Sequence, residues 1–367
     1  MGSIPAEQCA SVDPSRVPTL ALASGARIPA IGMGTFGSDT YGPDQVAAAV
    51  AGGLRAGYRL IDCAAVYGNE AQVGAVLQDA LRGGLDRDDL FVMSKVWNDA
   101  HSPEDARASV RRSFADLRLD HLDAVFVHWP FPNSHAPMAD ADARDPHARP
   151  YLHDEFLATW RALEALVAEG VVRHLGVSNV TLPKLRLILR DVETRPALIE
   201  MELHPGFQQP ELFRYAVDQG IQPVGYSPLG SPSRPERDRT EGDLVDLDHP
   251  VVRRIAEAHG IHPALVCLKW AVARGQIPIP FSVKESQYRA NLAAVVDDPL
   301  TPAEIEAMRS VERNNRLIKG QVFLWPGSRS WLDLWDVDGT IPGWQGYEAD
   351  ARPVARAVDE AAAHPAS

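Results

Sequence analysis

Asp62, Tyr67, Lys95 and His128 stand at or just beyond the polar ends of apolar runs, in the segments LIDCAAVYGNE (60–70), LFVMSKVWN (90–98) and LDAVFVHWP (122–130). A fourth run, HLGVSN (174–179), ends the same way in Ser178 and Asn179. Tyrosine is an unusual general acid because its unperturbed pKa is about 10. A neighbouring ammonium favours the phenolate and lowers that value, which gives Lys95 a task beside Tyr67. Lys95 in turn needs a counterion if it is to stay charged when buried, and Asp62 can supply it. His128 can donate a hydrogen bond to an oxygen on which negative charge develops. The set suits protonation of an alkoxide forming from a ketone or aldehyde, with hydride from a cofactor, since no side chain provides it. Taken singly, each residue has an ordinary explanation: a strand-end aspartate capping a turn, a solvated lysine, a satisfied core histidine. Their succession at strand ends carries the chemical reading.

Apolar runs that end in chemically useful residues and are separated by helical patterns are expected of a parallel barrel with its site at the carboxyl rim. The segment TLALASGARIPAIGMGTFG (19–37) reads as a small hairpin around Ser24 and Gly25, followed by a first buried strand near Ile28 to Met33. Pro43 opens a helix over 44–58, Asn69 is placed to cap 70–81, and Ser102 with Pro103 starts 104–117. Further helical patterns cover 151–170, 181–191, 209–220 and 262–275. Strand-length apolar runs lie between them at 171–179, 197–203, 221–227 and 277–282. Eight strand-and-helix units predict a (β/α)8 TIM barrel preceded by a β-hairpin. Residues 1–17 read as a flexible N-terminal arm, 18–312 as the barrel, and 313–367 as a long C-terminal tail. That tail holds Phe323, Trp325, Trp331, Trp335 and Trp344, half of the eight tryptophans, so it is expected to pack on the barrel. The segment 131–150, rich in Pro, Ala and Asp, reads as a long loop over the rim.

The chain has 367 residues and a formal charge of −13, which gives no basic face for nucleic acid. The expected partner is a small carbonyl or alcohol. Cys9, Cys63 and Cys267 have no metal-ligand spacing, and an odd number suits a reducing compartment. No metal is expected. The first residues carry neither a basic region nor an apolar stretch, and Ala6 breaks the myristoylation pattern begun by Gly2. A cytoplasmic protein without membrane spans is therefore expected. Gly32, Gly34 and Gly37 match G-x-G-x-x-G, but SDTYGP (38–43) intervenes before any helix, so the Rossmann fingerprint fails. Asn179, Val180 and Thr181 form a glycosylation sequon that has no meaning without secretion.

Beyond these readings, the motifs GTFG (34–37), LIDCAAVYGNE, SKVWN (94–98), VHWP (127–130), LGVSN (175–179), MELHPGFQQ (201–209) and YSPLGS (226–231) stand in an order that resembles the aldo-keto reductase family, over roughly residues 18–312. The resemblance implies a monomeric barrel that binds NAD(P)H along its rim, with Asp62, Tyr67, Lys95 and His128 as the catalytic set. It puts Thr35 and Phe36 near the nicotinamide with Asp62, Ser178 and Asn179 at the carboxamide, and Tyr226 on the ring. Ser227, Leu229 and Ser231 would line the pyrophosphate, with Phe281, Ser282, Gln287 and Asn291 toward the adenosine. Phe36, Trp97, Trp129 and Trp325 are the expected substrate-pocket residues.

This chain departs from the family pattern in three places. Glu200 stands where a glutamine would meet the carboxamide. Phe281 and Gln287 replace a lysine and an arginine at the adenosine 2′-phosphate, with Lys284 and Arg289 nearby as substitutes. Each lost bond to a charged group is worth roughly 1.5–3 kcal/mol. NADPH is accordingly put first with NADH as the alternative cofactor. Two other functions share the residue set: a lyase or aldolase using Lys95 as a Schiff-base nucleophile, and a regulatory barrel that binds nucleotide but turns over slowly.

Overall fold

The computed structural model of the chain describes residues 11–37, 39–135, 145–230, 234 and 239–342. Strands β1 (Thr19–Ala21) and β2 (Arg27–Pro29) form the antiparallel hairpin, with Gly25 at a positive φ of 87° in its turn. The barrel strands follow as β3 (Met33–Gly34), β4 (Leu60–Asp62), β5 (Phe91–Val96), β6 (Leu122–Val127), β7 (Val172–Ser178), β8 (Leu198–Glu202), β9 (Gln222–Tyr226) and β10 (Ile277–Pro278). Each pairs in parallel with its sequence neighbour. The two edges meet: Gly32 N–H donates to Pro278 O at 3.0 Å and Gly34 N–H to Pro280 O at 3.1 Å. At this seam a side chain would not fit, because a Cβ on Gly32 would fall 2.5 Å from Ile279.

Ten helices are described: α1 (Pro43–Ala56), α2 (Glu70–Arg82), α3 (Pro103–Leu117), α4 (His153–Ala168), α5 (Leu182–Asp191), α6 (Pro210–Asp218), α7 (Pro250–His259), α8 (Pro263–Ala273), α9 (Glu285–Ala294) and α10 (Pro302–Met308). Among the described residues no helix is long and apolar enough to cross a membrane. Two cores hold the barrel. Leu22 and Ile28 of the hairpin region pack with Leu60, Phe91, Ala124, Leu198, Val224 and Ile277, so the hairpin plugs the barrel's amino end. A larger layer between strands and helices includes Ile61, Val125, Trp160, Val177, Ile199 and Leu212.

Several local expectations are corrected. The first barrel strand is Met33–Gly34, while Ile28 belongs to the hairpin, which ends with Ala30 N–H donating to Pro18 O at 2.8 Å, a bond that Pro18 cannot return because it has no N–H. Asn69 stands at the N-cap of α2 but does not cap it; its amide donates instead to Thr35 O at 2.8 Å. Helices α7, α9 and α10 were not anticipated: α7 does carry an apolar stripe of Val252, Ile255 and Ala256 but is only ten residues long, α9 shows little apolar periodicity, and α10 has seven residues. The arm is held from Val12 onward: Val12 N–H donates to Ala56 O at 2.8 Å, and Val12 and Val17 join the core.

The tail is folded as far as residue 342. Arg313 and Asn315 N–H both donate to Gly206 O, and Asn133 Nδ2 donates to Phe323 O at 2.8 Å. Asp336 meets Lys184 of α5 at 2.6 Å and accepts from Thr181 as well. Burial pulls the Lys184 ammonium below and the Asp336 carboxyl above their ordinary ranges, and their contact offsets that cost. Trp344 lies outside the described residues.

Removing one partner of a buried pair leaves the other uncompensated. Asp336→Ala should therefore lower unfolding free energy by roughly 3 kcal/mol, the low end expected for breaking a buried pair. Equilibrium urea denaturation reads the loss, and proteolysis should cut the variant first within the tail.

Candidate active site

The end of β4 places Asp62, the carboxyl end of β5 places Lys95 one residue before its last, and His128 directly follows β6, where its N–H donates to Val96 O at 3.1 Å. Tyr67 closes a short 3-10 turn, Ala65–Tyr67, that Gly68 exits at a positive φ of 64°. These local geometries bring all four together. Lys95 Nζ lies 2.5 Å from Asp62 Oδ1, 3.0 Å from Cys63 O and 5.5 Å from the centre of the Tyr67 ring. The Tyr67 and His128 rings meet edge to face at 6.0 Å. Thr35 is also held here, its hydroxyl donating to Asp62 O at 2.8 Å, and Phe36 packs on Tyr67 at 5.2 Å. A second carboxylate reaches the same ammonium from across the barrel: Glu200 Oε2 of β8 lies 3.3 Å from Lys95 Nζ, buried and without a hydrogen-bond partner.

Burial works against the charge of Lys95, yet Asp62 and Glu200 outweigh it and hold the ammonium above the ordinary lysine range. The expectation that Lys95 brings Tyr67 below its usual value is not met. Burial of the phenol dominates, and although Lys95 pulls downward, the Asp62 and Glu200 charges push back, so the Tyr67 hydroxyl stays protonated well beyond neutrality. His128 is pushed well below the usual histidine range by burial and by Lys95, and is therefore a neutral imidazole.

The residues expected around a nicotinamide cluster beside this set. Ser178 and Glu200 are register partners across β7 and β8. Asn179 adopts a positive φ of 55°, and its amide donates to His128 O at 2.9 Å and to Ser178 Oγ at 3.2 Å. Tyr226 O–H donates to Asn179 Oδ1 at 2.6 Å. Ser227, also at positive φ, starts a tight turn closed by Gly230 N–H, and Leu229 packs against the core cluster that includes Val252, Ile255 and Trp270. Ser231 lies outside the described residues. At the seam strand's far side Phe281 faces Tyr41 at 6.1 Å, Ser282 O–H donates to Gln287 Oε1 at 2.6 Å, and Asn291 is buried in α9. Arg289 is tied to Glu285 at 2.8 Å, whereas Lys284 is exposed. Among the described residues no group of three or more His, Cys, Asp or Glu is arranged to hold a metal ion.

One wall of the site is aromatic and is shared with the tail. Trp97 meets His128 at 4.9 Å, and Phe323 contacts Trp97, Trp129, Phe131 and His135 within 6 Å. Trp325 packs half-buried on the same cluster, as does Val66. Phe323 and His135 were not anticipated as wall residues; the density of aromatics in the tail was the only signal of it.

A buried polar group also escaped assembly from sequence. Glu202 accepts Leu317 and Ile318 N–H at 2.7 and 3.0 Å and meets His204 Nε2 at 3.1 Å, while His204 Nδ1 meets Asp246 at 2.6 Å. The Arg316 guanidinium stands 4.0 Å from Glu202 and 3.4 Å from the centre of the Trp335 ring. The network ties β8, the segment before α7 and the tail into one rim.

An eight-stranded parallel barrel with an acid–base cluster at the carboxyl ends of its strands has the layout of a barrel enzyme. Residues 30–313 match the aldo/keto reductase family. The chain is 40% identical over 304 residues to aldo-keto reductase family 1 member A1 of Sus scrofa, an alignment covering 81% of this chain and 90% of that protein. The Homo sapiens protein of the same name gives the same figures. Aldo/keto reductase slr0942 of Synechocystis sp. is 38% identical over 321 residues, covering 86% of this chain and 95% of its own. The chain belongs to the aldo/keto reductase family, and is an oxidoreductase acting between CH–OH and C=O with a nicotinamide cofactor.

Burial opposes the charge of His204, but its two carboxylate partners raise it to about 9. A histidine raised on folding contributes stability that is whole below its unfolded value near 6.5 and is lost as pH rises through 9. The stability difference between the protein and His204→Asn should therefore shrink from pH 6.5 to pH 9 in urea denaturation, and a constant difference would remove the imidazolium from this network.

Proposed function

We propose that the protein reduces an aldehyde or ketone with NAD(P)H, Tyr67 giving its proton to the substrate oxygen and His128 donating a hydrogen bond to the same atom. The observation that carries this reading is the buried Lys95 ammonium, fixed by Asp62 at 2.5 Å beside a protonated Tyr67. A bound reduced nicotinamide supplies the hydride. As negative charge develops on the substrate oxygen, the neutral imidazole and the phenol are the donors that face it, and Lys95 stabilises the phenolate that proton transfer leaves behind. Asp62 keeps Lys95 charged and fixes its position. The same residues run the reaction in reverse when an alcohol is oxidised.

The residues present fit a nicotinamide dinucleotide. Glu200 offers a buried oxygen with no partner in the protein, Ser178 and Asn179 stand beside it on the neighbouring strand end, and the Tyr226 ring is held by Asn179. Carbonyl compounds with an apolar or aromatic body suit the wall of Trp97, Trp129, Phe323 and Trp325. The Schiff-base alternative requires a neutral lysine, and two carboxylates around Lys95 oppose that state.

At the adenosine end, Phe281 brings no charge, Gln287 is bonded to Ser282 and Arg289 to Glu285, which leaves Lys284 as the group to meet a 2′-phosphate. We place NADPH ahead of NADH by a small margin on this ground.

Two measurements test the reading. Tyr67→Phe should bind cofactor within a few-fold of the parent, by quenching of tryptophan fluorescence, while carbonyl reduction falls by roughly 10²–10⁴, the usual contribution of a positioned acid. Retained turnover would take Tyr67 out of the acid role. Phe281→Lys should tighten NADPH relative to NADH by about tenfold or more, the worth of one added bond to a charged group. An unchanged ratio would mean that the 2′-phosphate lies elsewhere.

A further inference from the structure

Glu200 and Asp62 give the buried Lys95 ammonium two carboxylates, one more than it can neutralise. Three charged groups in the barrel interior with a net charge of −1 are costly, and an ionisable cluster in that position relieves the cost by keeping one proton. Geometry decides which oxygen keeps it. Asp62 takes the short contact at 2.5 Å, whereas Glu200 Oε2 stands at 3.3 Å with no hydrogen bond formed. The surrounding groups do not change this balance. From β4 and the turn after it come Cys63 and Tyr67, both kept neutral by burial. His128 beyond β6 is neutral, and Tyr226 at the end of β9 holds its proton. Glu202, two residues along the same strand, is closed off by His204, Arg316 and two backbone N–H groups.

We infer that Glu200 is a proton-carrying residue of the cofactor site, protonated beside a neutral reduced nicotinamide and ionised beside the cationic oxidised ring. This rests on the nicotinamide reading of the rim given above. The step is an acid dissociation: the Glu200 O–H bond breaks, its electron pair stays on the carboxylate, and the proton passes to solvent. An opposite charge within about 4–6 Å lowers a carboxyl group's pKa by 1–3 units. Burial, with the Asp62 charge adding to it and Lys95 pulling the other way, holds the Glu200 carboxyl above the usual carboxylate range before any cation arrives, and the missing hydrogen bond to Lys95 leaves that proton available for release. A glutamine at this position has no proton to give, and the chain's carboxylate therefore makes the oxidised cofactor's affinity depend on pH while the reduced cofactor's does not.

The test is titration of the whole protein with NADP⁺ and with NADPH, repeated with NAD⁺ and NADH, from pH 6 to 9.5. Affinity is read by tryptophan fluorescence. Proton release is read by a pH indicator in weakly buffered solution. As pH rises through the range in which free Glu200 holds its proton, the oxidised form should tighten by up to about tenfold per pH unit and release up to one proton on binding, as linkage requires. The reduced form, which carries the same phosphates, should show neither effect. Glu200→Gln should abolish the difference between the two forms, and Tyr67→Phe should keep it, which separates Glu200 from the phenol as the proton source. If Glu200→Gln fails to fold, the comparison of oxidised with reduced cofactor in the parent and in Tyr67→Phe still decides. Equal pH dependence for both forms, or loss of the release in Tyr67→Phe, overturns the role of Glu200 and leaves the cofactor site standing. Failure of every cofactor to bind overturns the nicotinamide reading itself.

Discussion

An ammonium group removed from water costs several kcal/mol unless carboxylates and hydrogen-bond acceptors surround it. Lys95 is fully buried inside a barrel, and what surrounds it is drawn from separate parts of the chain: Asp62 and the Cys63 carbonyl from the end of β4, Glu200 from the opposite side. The site is organised by that requirement. Asp62 is itself fixed by Thr35, and Thr35 by the Asn69 amide that would otherwise cap α2. Helix α2 thus begins without a side-chain cap, and the amide goes instead to the residue whose hydroxyl holds the Asp62 main-chain carbonyl.

Strand β8 shows how a barrel stacks polar chemistry in layers. Glu200 and Glu202 share a face because side chains alternate along a strand. Glu200 points to Lys95. Glu202, one step nearer the rim, meets His204 and the tail backbone at Leu317 and Ile318. The inner layer surrounds the Lys95 ammonium and the outer one fastens the segments that shape the rim. Fastening matters because the tail supplies Phe323, whose ring lies against Trp97 and Trp129 beside His128. A wall built from a distant part of the chain keeps its shape only while Glu202, Asp246 and Asp336 hold their partners.

Much of the fold was legible before any coordinates. Apolar runs ending in Asp62, Lys95 and His128 mark strands by length and periodicity, and the alternation of strands with helices forces a parallel sheet. Resemblance to the family supplied roles for the rim residues, and the family match supports the reaction class. The helices α7, α9 and α10 were missed because they are short and take their stability from packing rather than from their own length, even where, as in α7, an apolar stripe is present. Asn69 read as a cap because local pattern does not show what else an amide can reach.

The sequence by itself determined which residues sit at strand ends, since chain connectivity and side-chain periodicity are local properties. Only the tertiary structure decided their electrostatic state. Tyr67 has the ammonium neighbour that the sequence calls for, yet its proton is held more tightly than in water, because burial, with the Asp62 charge beside it, outweighs Lys95. Those opposing effects depend on distances across the barrel and on exclusion of water, and neither is written in the spacing of residues along the chain.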